Sequence, residues 1–248
     1  MTVPAFGRDE ARSFLSALMP KTQSAPPRYF CLWDLATKLS STFQVGDPSA
    51  IQTATDWSET PANLYIGVAM SAAPLAERRR LTNETAAGLY GLYLDIDISG
   101  PAHQKPNLPP SREAAVDLLD EFGVAPTVVV DSGHGLQPWW LFPQPWFFHS
   151  EADRAAAADL ARGWVAAHRH VAAGHGWDHD AVGDLARVLR LPGTMNNKLT
   201  ESPVPVSLIY DDGPRYSPSD LELLVENRSM TAPRGSLVAL PRVCCTNW

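Results

Sequence analysis

Residues 89–98 (LYGLYLDIDI) constrain this chain more than any other stretch. The run is apolar and aromatic nearly throughout, which reads as a buried strand. Two carboxylates, Asp95 and Asp97, interrupt it near the end. On a strand, alternate side chains share a face. Asp95 and Asp97 therefore point one way, while Leu94, Ile96 and Ile98 point into the core. Two carboxylates at the end of a buried strand repel each other and lose hydration. A divalent cation reverses that penalty, and oxygen ligands of this kind suit Mg²⁺ or Mn²⁺. The plainer alternative is a strand that ends in solvent with two acidic residues.

The elements around this strand set the fold class. Residues 1–60 read as mixed helix and loop, with a helix over 11–19 broken by Ala25, Pro26 and Pro27. Residues 63–70 form a strand before the acidic one, and a Pro-rich loop over 99–110 follows it. Ser111 caps a helix to about residue 122, with Glu113 in its first turn. Residues 127–131 and 137–142 are strands joined by the turn Ser132, Gly133, His134 and Gly135. Ser150 and Asp153 open a long helix to about residue 173, on which Leu160, Trp164, His168 and Val171 share a face. A strand over 204–210 and a helix over 217–226 complete the chain, and a tail from 228 to 248 is expected to be flexible. This order predicts α/β or α+β architecture with a mixed sheet, divided into an N-terminal part over 1–60 and a core over 61–227.

Composition narrows the function classes. The chain has 248 residues, 45% of them hydrophobic, enough for one or two domains with a sizeable core. No run approaches the roughly 20 apolar residues of a membrane helix, and the N-terminus does not read as a secretory signal. The expectation is therefore no membrane partner. Three cysteines, Cys31, Cys244 and Cys245, make neither a disulfide framework nor a spaced zinc site, so a reducing, cytoplasmic setting is expected. The net charge of −7 argues against a protein that coats nucleic acid. It leaves room for an enzyme that holds a template in one local groove.

Two further stretches carry chemistry. The turn from Asp131 to Gln137 contains Gly133 and Gly135, which let backbone approach a phosphate, and Ser132, His134 and Gln137 add polar side chains. An ordinary Gly-rich hairpin is the alternative. No Gly-Lys-Ser/Thr follows, so a fused ATPase or helicase is not expected. The segment from Trp177 to Lys198 supplies three carboxylates, Asp178, Asp180 and Asp184, and three cations, Arg187, Arg190 and Lys198. These cations suit a triphosphate or a template backbone. The alternative is a solvated helical turn with Asp184 paired to Arg187.

Taken in chain order, the three stretches resemble the archaeo-eukaryotic primase superfamily, and more closely the primase-polymerase domains of phages, plasmids and related mobile elements. That family has Asp-x-Asp/Glu on a strand, a Ser-Gly-x-Gly-x-His turn and a downstream Asp. In its mobile-element branch the third motif runs into Arg-Val-Leu-Arg-Leu-Pro-Gly-Thr, here Arg187 to Thr194, and then Asn196 and Lys198. The resemblance covers roughly residues 60–211 and departs from the family at Gln137, where a phosphate-contacting His is usual. It implies an RRM-like catalytic sheet packed with a second small α/β unit. It also implies a template-dependent nucleotidyltransferase, a DNA primase/polymerase using Mg²⁺ or Mn²⁺ on Asp95, Asp97 and a third carboxylate. Asp178 is the first choice for the third, because it stands fourteen residues before Pro192 with Arg190 at the basic position, as in cellular primase small subunits. Asp180 is the second choice. Ser132, Gly133, His134, Gly135, Gln137, Arg187, Arg190 and Lys198 would hold the nucleotide. The implied partners are a single-stranded DNA template, nucleoside triphosphates and a separate helicase.

Three rivals stand beside this reading. A non-catalytic replication-initiation or DNA-binding module on the same fold would lack a metal carboxylate. A sugar transferase using Asp-x-Asp would leave Arg187 to Thr194 unexplained. A rolling-circle nickase rests on His168 and His170 alone, and these sit mid-helix. The rings of Trp139, Trp140 and Trp177 are candidates for base stacking or for the core.

Overall fold

The computed structural model describes residues 5–19, 26–57, 63–181 and 183–230. In chain order its elements are α1 (Ala5–Leu18), β1 (Tyr29–Asp34), β2 (Ser40–Gln44), α2 (Pro48–Trp57), β3 (Leu64–Gly67), β4 (Ala69–Ser71), β5 (Ala86–Tyr93) and β6 (Ile96–Asp97). They continue with α3 (Arg112–Phe122), β7 (Val128–Asp131), β8 (Gly135–Phe147), α4 (Glu151–Gly174), β9 (Val188–Arg190), β10 (Met195–Asn196), β11 (Val204–Pro205), β12 (Ser207–Tyr210) and α5 (Pro218–Met230). The proposed flexible tail begins inside α5, and residues 231–248 lie outside the described residues, as do Cys244 and Cys245.

The principal sheet runs β12-β7-β8-β5-β4-β1-β3-β9, with β2 added on β1 and β6 on β8. Every strand pairing described is antiparallel, where a mixed sheet was expected. The difference arises because neighbouring strands here join through hairpins and long returns rather than right-handed helical crossovers. β5 and β8 form the centre. All eight residues of β5 are buried, and Gly91 belongs there because a Cβ would sit 2.2 Å from the Trp140 carbonyl oxygen. Trp139 and Trp140 are fully buried in this core, so neither ring is free to stack a base. Trp139 meets Phe14 of α1 edge-on at 5.6 Å, and Trp140 meets Trp164 of α4 at 5.0 Å.

Helices cover the sheet for local reasons readable in the chain. Ser111 accepts from Ala114 N–H to open α3, and Gly123 closes it at φ 73°. Ser150 and Asp153 form a capping box on α4, whose buried face includes Leu160, Trp164 and His168. The reading of residues 1–60 as helix and loop misses β1 and β2. β1 is buried at five of its six positions and carries β2, β3 and β4 as neighbours.

One contact gives the sheet its functional shape. β9 ends the sheet on the side remote from β8. Yet the Arg190 backbone N–H in β9 donates to Gln137 Oε1 in β8 at 3.0 Å. The sheet therefore curls until its β9 edge faces β8, and Gln137 spans the seam. The polar residues of the acidic strand sit at that seam.

Candidate active site

Residues 89–98 do not run as one strand. β5 stops at Tyr93, Leu94 N–H donates to the Pro138 carbonyl at 3.1 Å, and β6 resumes at Ile96 against Leu136. Leu94 and Ile96 are buried in the core, and Asp95 and Asp97 remain on the other side, as alternation requires. Both carboxyls are raised, each chiefly by burial. Burial raises the Asp95 carboxyl above its ordinary range, and Asp180 pushes the same way, against the Gln137 amide, Arg187 and Arg190. Burial and then the charge of Asp95 push Asp97 up to about 6, against Lys198 and Lys105.

Each carboxylate has a neutral hydrogen-bond partner. Gln137 is only 4% exposed, and its Nε2 donates to Asp95 Oδ1 at 3.0 Å while its Oε1 accepts from Arg190. Both ends of this amide are thus committed inside the protein. His103 Nδ1 lies 2.9 Å from Asp97 Oδ2. Burial, followed by Lys198 and His134, pushes the His103 imidazole down to about 4, so at neutral pH it is an uncharged donor to Asp97. Lys198 Nζ stands 3.2 Å from both ring nitrogens. With Nδ1–H given to Asp97, Nε2 is the nitrogen that accepts from Lys198.

The turn between β7 and β8 is fastened directly onto the acidic strand. Gly135 pairs with Asp97, and the His134 carbonyl accepts from Ile98 N–H at 3.1 Å. A Cβ on Gly135 would lie 2.4 Å from the Ile96 carbonyl oxygen, so glycine is required by close backbone approach. Gly133 takes φ 84°. Its N–H goes to Asp131 Oδ1, and the Ser132 N–H and hydroxyl both go to the Gly135 carbonyl. These donors close the turn rather than face a ligand. His134 differs: its Nε2 is buried with no hydrogen-bond partner among the described residues, and burial lowers its pKa, followed by Lys198 and Arg190. A cleft of about 250 Å³ opens beside it, lined among others by Ser99, Gly100, Arg112, Asp131, Gly133 and His134.

The third stretch divides. Asp178 has a side chain 59% exposed and is held by Arg169 on α4, with Oδ1 2.8 Å from Nε. It also acts on Lys105, as do Asp97 and Asp180. Asp180 acts on both Asp95 and Asp97, and is itself held low chiefly by its bond to Lys105. His179 between them is buried, 2.7 Å from His168 of α4, which sends the two flanking carboxylates to different surroundings. Asp184 belongs to a turn, not a helix: its Oδ1 accepts from Ala186 N–H at 3.0 Å, and Arg187 stands off at 3.8 Å. Arg187 Nε is buried without a partner among the described residues. Arg190 donates to Asn63 Oδ1 at 2.9 Å and lies over the Tyr65 ring. The Trp177 ring stacks on His175.

The structure thus brings together Asp95, Asp97, Asp180, His134, Gln137, Arg187, Arg190 and Lys198, with Asp178 nearby but paired to Arg169 of α4. No group of three or more His, Cys, Asp or Glu at metal-holding spacing stands preformed among the described residues. The donors nevertheless fit a hard divalent cation: a buried oxygen pair that holds protons too tightly, and a third carboxylate engaged by an exchangeable lysine. Sequence reasoning missed His103 and Lys105, because they lie in a Pro-rich loop with no periodicity. A His and a Lys immediately after an acidic strand were the available signal.

No helix among the described residues is long and apolar enough to cross a membrane. No protein-family model matches the sequence, and no curated protein does. Solved structures do match. The AEP domain of the primase-polymerase of cyanophage S-2L superposes with a TM-score of 0.54 at 15% identity, covering 88% of this chain and 97% of that one. The catalytic domain of primase RepB′ in complex with initiator DNA gives 0.51 at 16% identity, over 90% of this chain and 93% of that one. A structure of primase RepB′ gives 0.51 at 15% identity, covering 90% of this chain and 62% of the other. In its α+β architecture, large antiparallel sheet and flanking helices, this chain has the fold of the primase-polymerase catalytic domains.

Proposed function

We propose that the chain is a template-dependent nucleotidyltransferase, a DNA primase/polymerase of a phage- or plasmid-like replication system. The observation that carries this is the carboxylate pair at the curled sheet's seam. Asp95 and Asp97 are both held above their ordinary pKa, and Arg187, His134 and Lys198 stand around them. Burying two like charges is costly, and a divalent cation together with an anionic ligand would relieve that cost. Asp95, Asp97 and Asp180 would hold Mg²⁺ or Mn²⁺, which when bound stabilises the attacking and leaving oxygens of a phosphoryl transfer. We take Asp180 in place of Asp178 because Asp180 is among the leading charges on both members of the pair, whereas Asp178 is tied to Arg169 of α4.

The chain's own residues then divide the work. Gln137 fixes Asp95 in one orientation through its amide and fastens it to β9. His103 fixes Asp97 from the other side as a neutral donor, and burial, with Lys198 second, keeps the imidazole neutral. His134 has a buried ring nitrogen, and Arg187 a buried Nε, without a hydrogen-bond partner among the described residues. These two groups, with Lys198, would bind triphosphate oxygens and orient the α-phosphate toward an incoming 3′-hydroxyl. Ser132, Gly133 and Gly135 hold the turn's shape.

A non-catalytic replication-initiation or DNA-binding module is the second reading. It is favoured by the engagement of Asp180 with Lys105 and by the lack of a preformed cluster. The reaction assay offers a single-stranded template, with and without primer, labelled ribo- or deoxynucleoside triphosphates, and Mg²⁺ or Mn²⁺. Labelled product that disappears in both Asp95→Ala and Asp97→Ala supports the enzyme. Mn²⁺ binding without incorporation, or neither, would select the second reading. A separate helicase would supply unwinding.

A further inference from the structure

A row of side chains leads away from the seam across the sheet. Ser40, Trp33, Tyr65 and Arg190 are successive cross-strand partners from β2 through β1 and β3 to β9. Directly opposed residues of antiparallel strands share a face, so the four form one transverse line. Trp33 and Tyr65 lie 5.9 Å apart, Arg190 Cζ stands 4.6 Å over the Tyr65 ring, and Arg190 acts on Asp95. The line therefore ends at the carboxylate seam.

Its outer end is cationic. Lys38 Nζ sits 5.1 Å and Arg80 Cζ 4.9 Å from the Trp33 ring centre. Both residues are exposed, as are Arg78 and Arg79. Arg80 reaches the Ala186 carbonyl at 3.3 Å, next to Arg187. The acidic neighbours are few. Glu77 is exposed, and both oxygens of Asp34 are tied to Ala36 N–H and the Thr37 hydroxyl. In a chain of net charge −7 this is a local reversal of sign. The backbone is also unusual here. Lys38 (φ 61°) and Arg78 (φ 65°) are the two non-glycine residues with positive φ among the described residues. Such strain is held only where the surroundings enforce it, and both instances place a cation on this one patch.

We propose that Lys38, Arg78 and Arg80, the first and last seated over the buried Trp33 ring, form the track on which a single-stranded polynucleotide lies on its way to the carboxylate seam. The cations meet successive phosphates, and the Trp33 ring holds two of them in place from below. The direction follows from Arg190, which belongs to both the ring row and the seam. The assignment rests on the nucleic-acid reading above but requires no turnover. A free triphosphate shares the phosphate chemistry, so the test separates the two.

The test is fluorescence anisotropy of a labelled single-stranded oligodeoxynucleotide over a salt series, alongside binding of a labelled nucleoside triphosphate with Mn²⁺. The full chain is compared with Lys38→Gly/Arg78→Gly/Arg80→Ala. A second variant, Lys38→Gly/Arg78→Gly, keeps the Arg80 contacts and removes the positive-φ strain, so its folding is safe. The triple variant should bind the oligonucleotide about tenfold or more weakly, with the log–log salt slope reduced by about 2 at roughly 0.7 per lost phosphate contact. The double variant should lose about 1.4 on the same scale, and triphosphate binding should not move. Unchanged oligonucleotide affinity and slope in the double variant would overturn the proposal, and so would an equal loss of triphosphate binding. If the wild-type chain incorporates no nucleotide yet the oligonucleotide still depends on these cations, the track stands and the nucleotidyltransferase reading falls.

Discussion

Replacing Gln137 by Ala separates two roles that a polar residue at this point can have. As a phosphate ligand, Gln137 would influence triphosphate affinity. As the structure has it, the amide is 4% exposed and both its ends are used, by Asp95 Oδ1 and by the Arg190 N–H, each at 3.0 Å. Truncation strands one buried donor and one buried carboxylate. At about 1–3 kcal/mol for each unsatisfied group, the variant should lose about 2–6 kcal/mol, a large share of the roughly 5–15 kcal/mol that holds a domain of this kind folded. Urea unfolding of the metal-free chain reads this loss directly. Asp95 then lacks its orienting amide, so Mn²⁺ affinity should fall by roughly 10–100-fold, as for other lost outer partners of metal ligands. In the incorporation assay kcat should fall at saturating metal while the KM for triphosphate stays within about twofold. Gln137→Glu keeps the acceptor for Arg190 but sets a third carboxylate against Asp95, and should be rescued in part at low pH. Wild-type stability together with a raised KM in Gln137→Ala would refute the clasp and restore the phosphate role.

Other outcomes follow from the same geometry. Asp97→Asn should abolish incorporation yet stabilise the metal-free chain. A carboxyl raised from 3.8 to about 6 binds excess protons in the folded state, so its cost is full above about pH 6, shrinks as pH falls and is gone below the unfolded value. The stability difference between variant and wild type should therefore reach about 3 kcal/mol above pH 6 and vanish near pH 4. The difference must be used, because His179, pushed down to about 4 by burial, loses stability as pH falls through the same window. Asp180→Ala should lose Mn²⁺ binding and incorporation, whereas Asp178→Ala should keep both; the reverse result would return the third ligand to Asp178. Gly135→Ala, which drives a methyl into the Ile96 carbonyl, should cost about 1–3 kcal/mol by overpacking, read as a lower urea midpoint, and displace Asp97, read as weaker Mn²⁺ binding.

Local grammar made much of this legible in the sequence. The Ser111 and Ser150 caps and the Gly-turn appear where cap and turn residues place them, and the acidic stretch is extended there but broken at residues 94–95 into β5 and β6. What stayed hidden depends on pairs far apart in sequence. β1 and β2 escaped because residues 29–44 show no clean alternation: β1 is buried on both faces and β2 on neither. The choice of third carboxylate turns on a contact of the same kind. Spacing to Pro192 favours Asp178, but spacing does not register His179, whose contact with His168 of α4 sets where its two neighbours go. His103 acquires meaning only once a loop without periodicity folds back onto Asp97.

The seam explains why these long-range contacts matter more than the motifs themselves. Asp95 and Asp97 alone are a destabilising pair on a strand end, and the Gly-turn alone is a hairpin with its amides already used. The sheet's curl puts β9 opposite β8, and with it come Arg190, Arg187 and the ring row of β1 and β3. The same Gln137 amide that closes the curl also orients the acid. On the reading proposed above, a chain with net charge −7 would hold a polyanion because hard cations from solution would meet the charge of the carboxylate pair, and arginine and lysine would line the approach to it. Gln137 is therefore not a weakened copy of a phosphate-binding histidine. His134, whose Nε2 has no partner among the described residues, is the residue of this turn we propose for phosphate contact, while Gln137 is the fastening that keeps the acidic strand and β9 together.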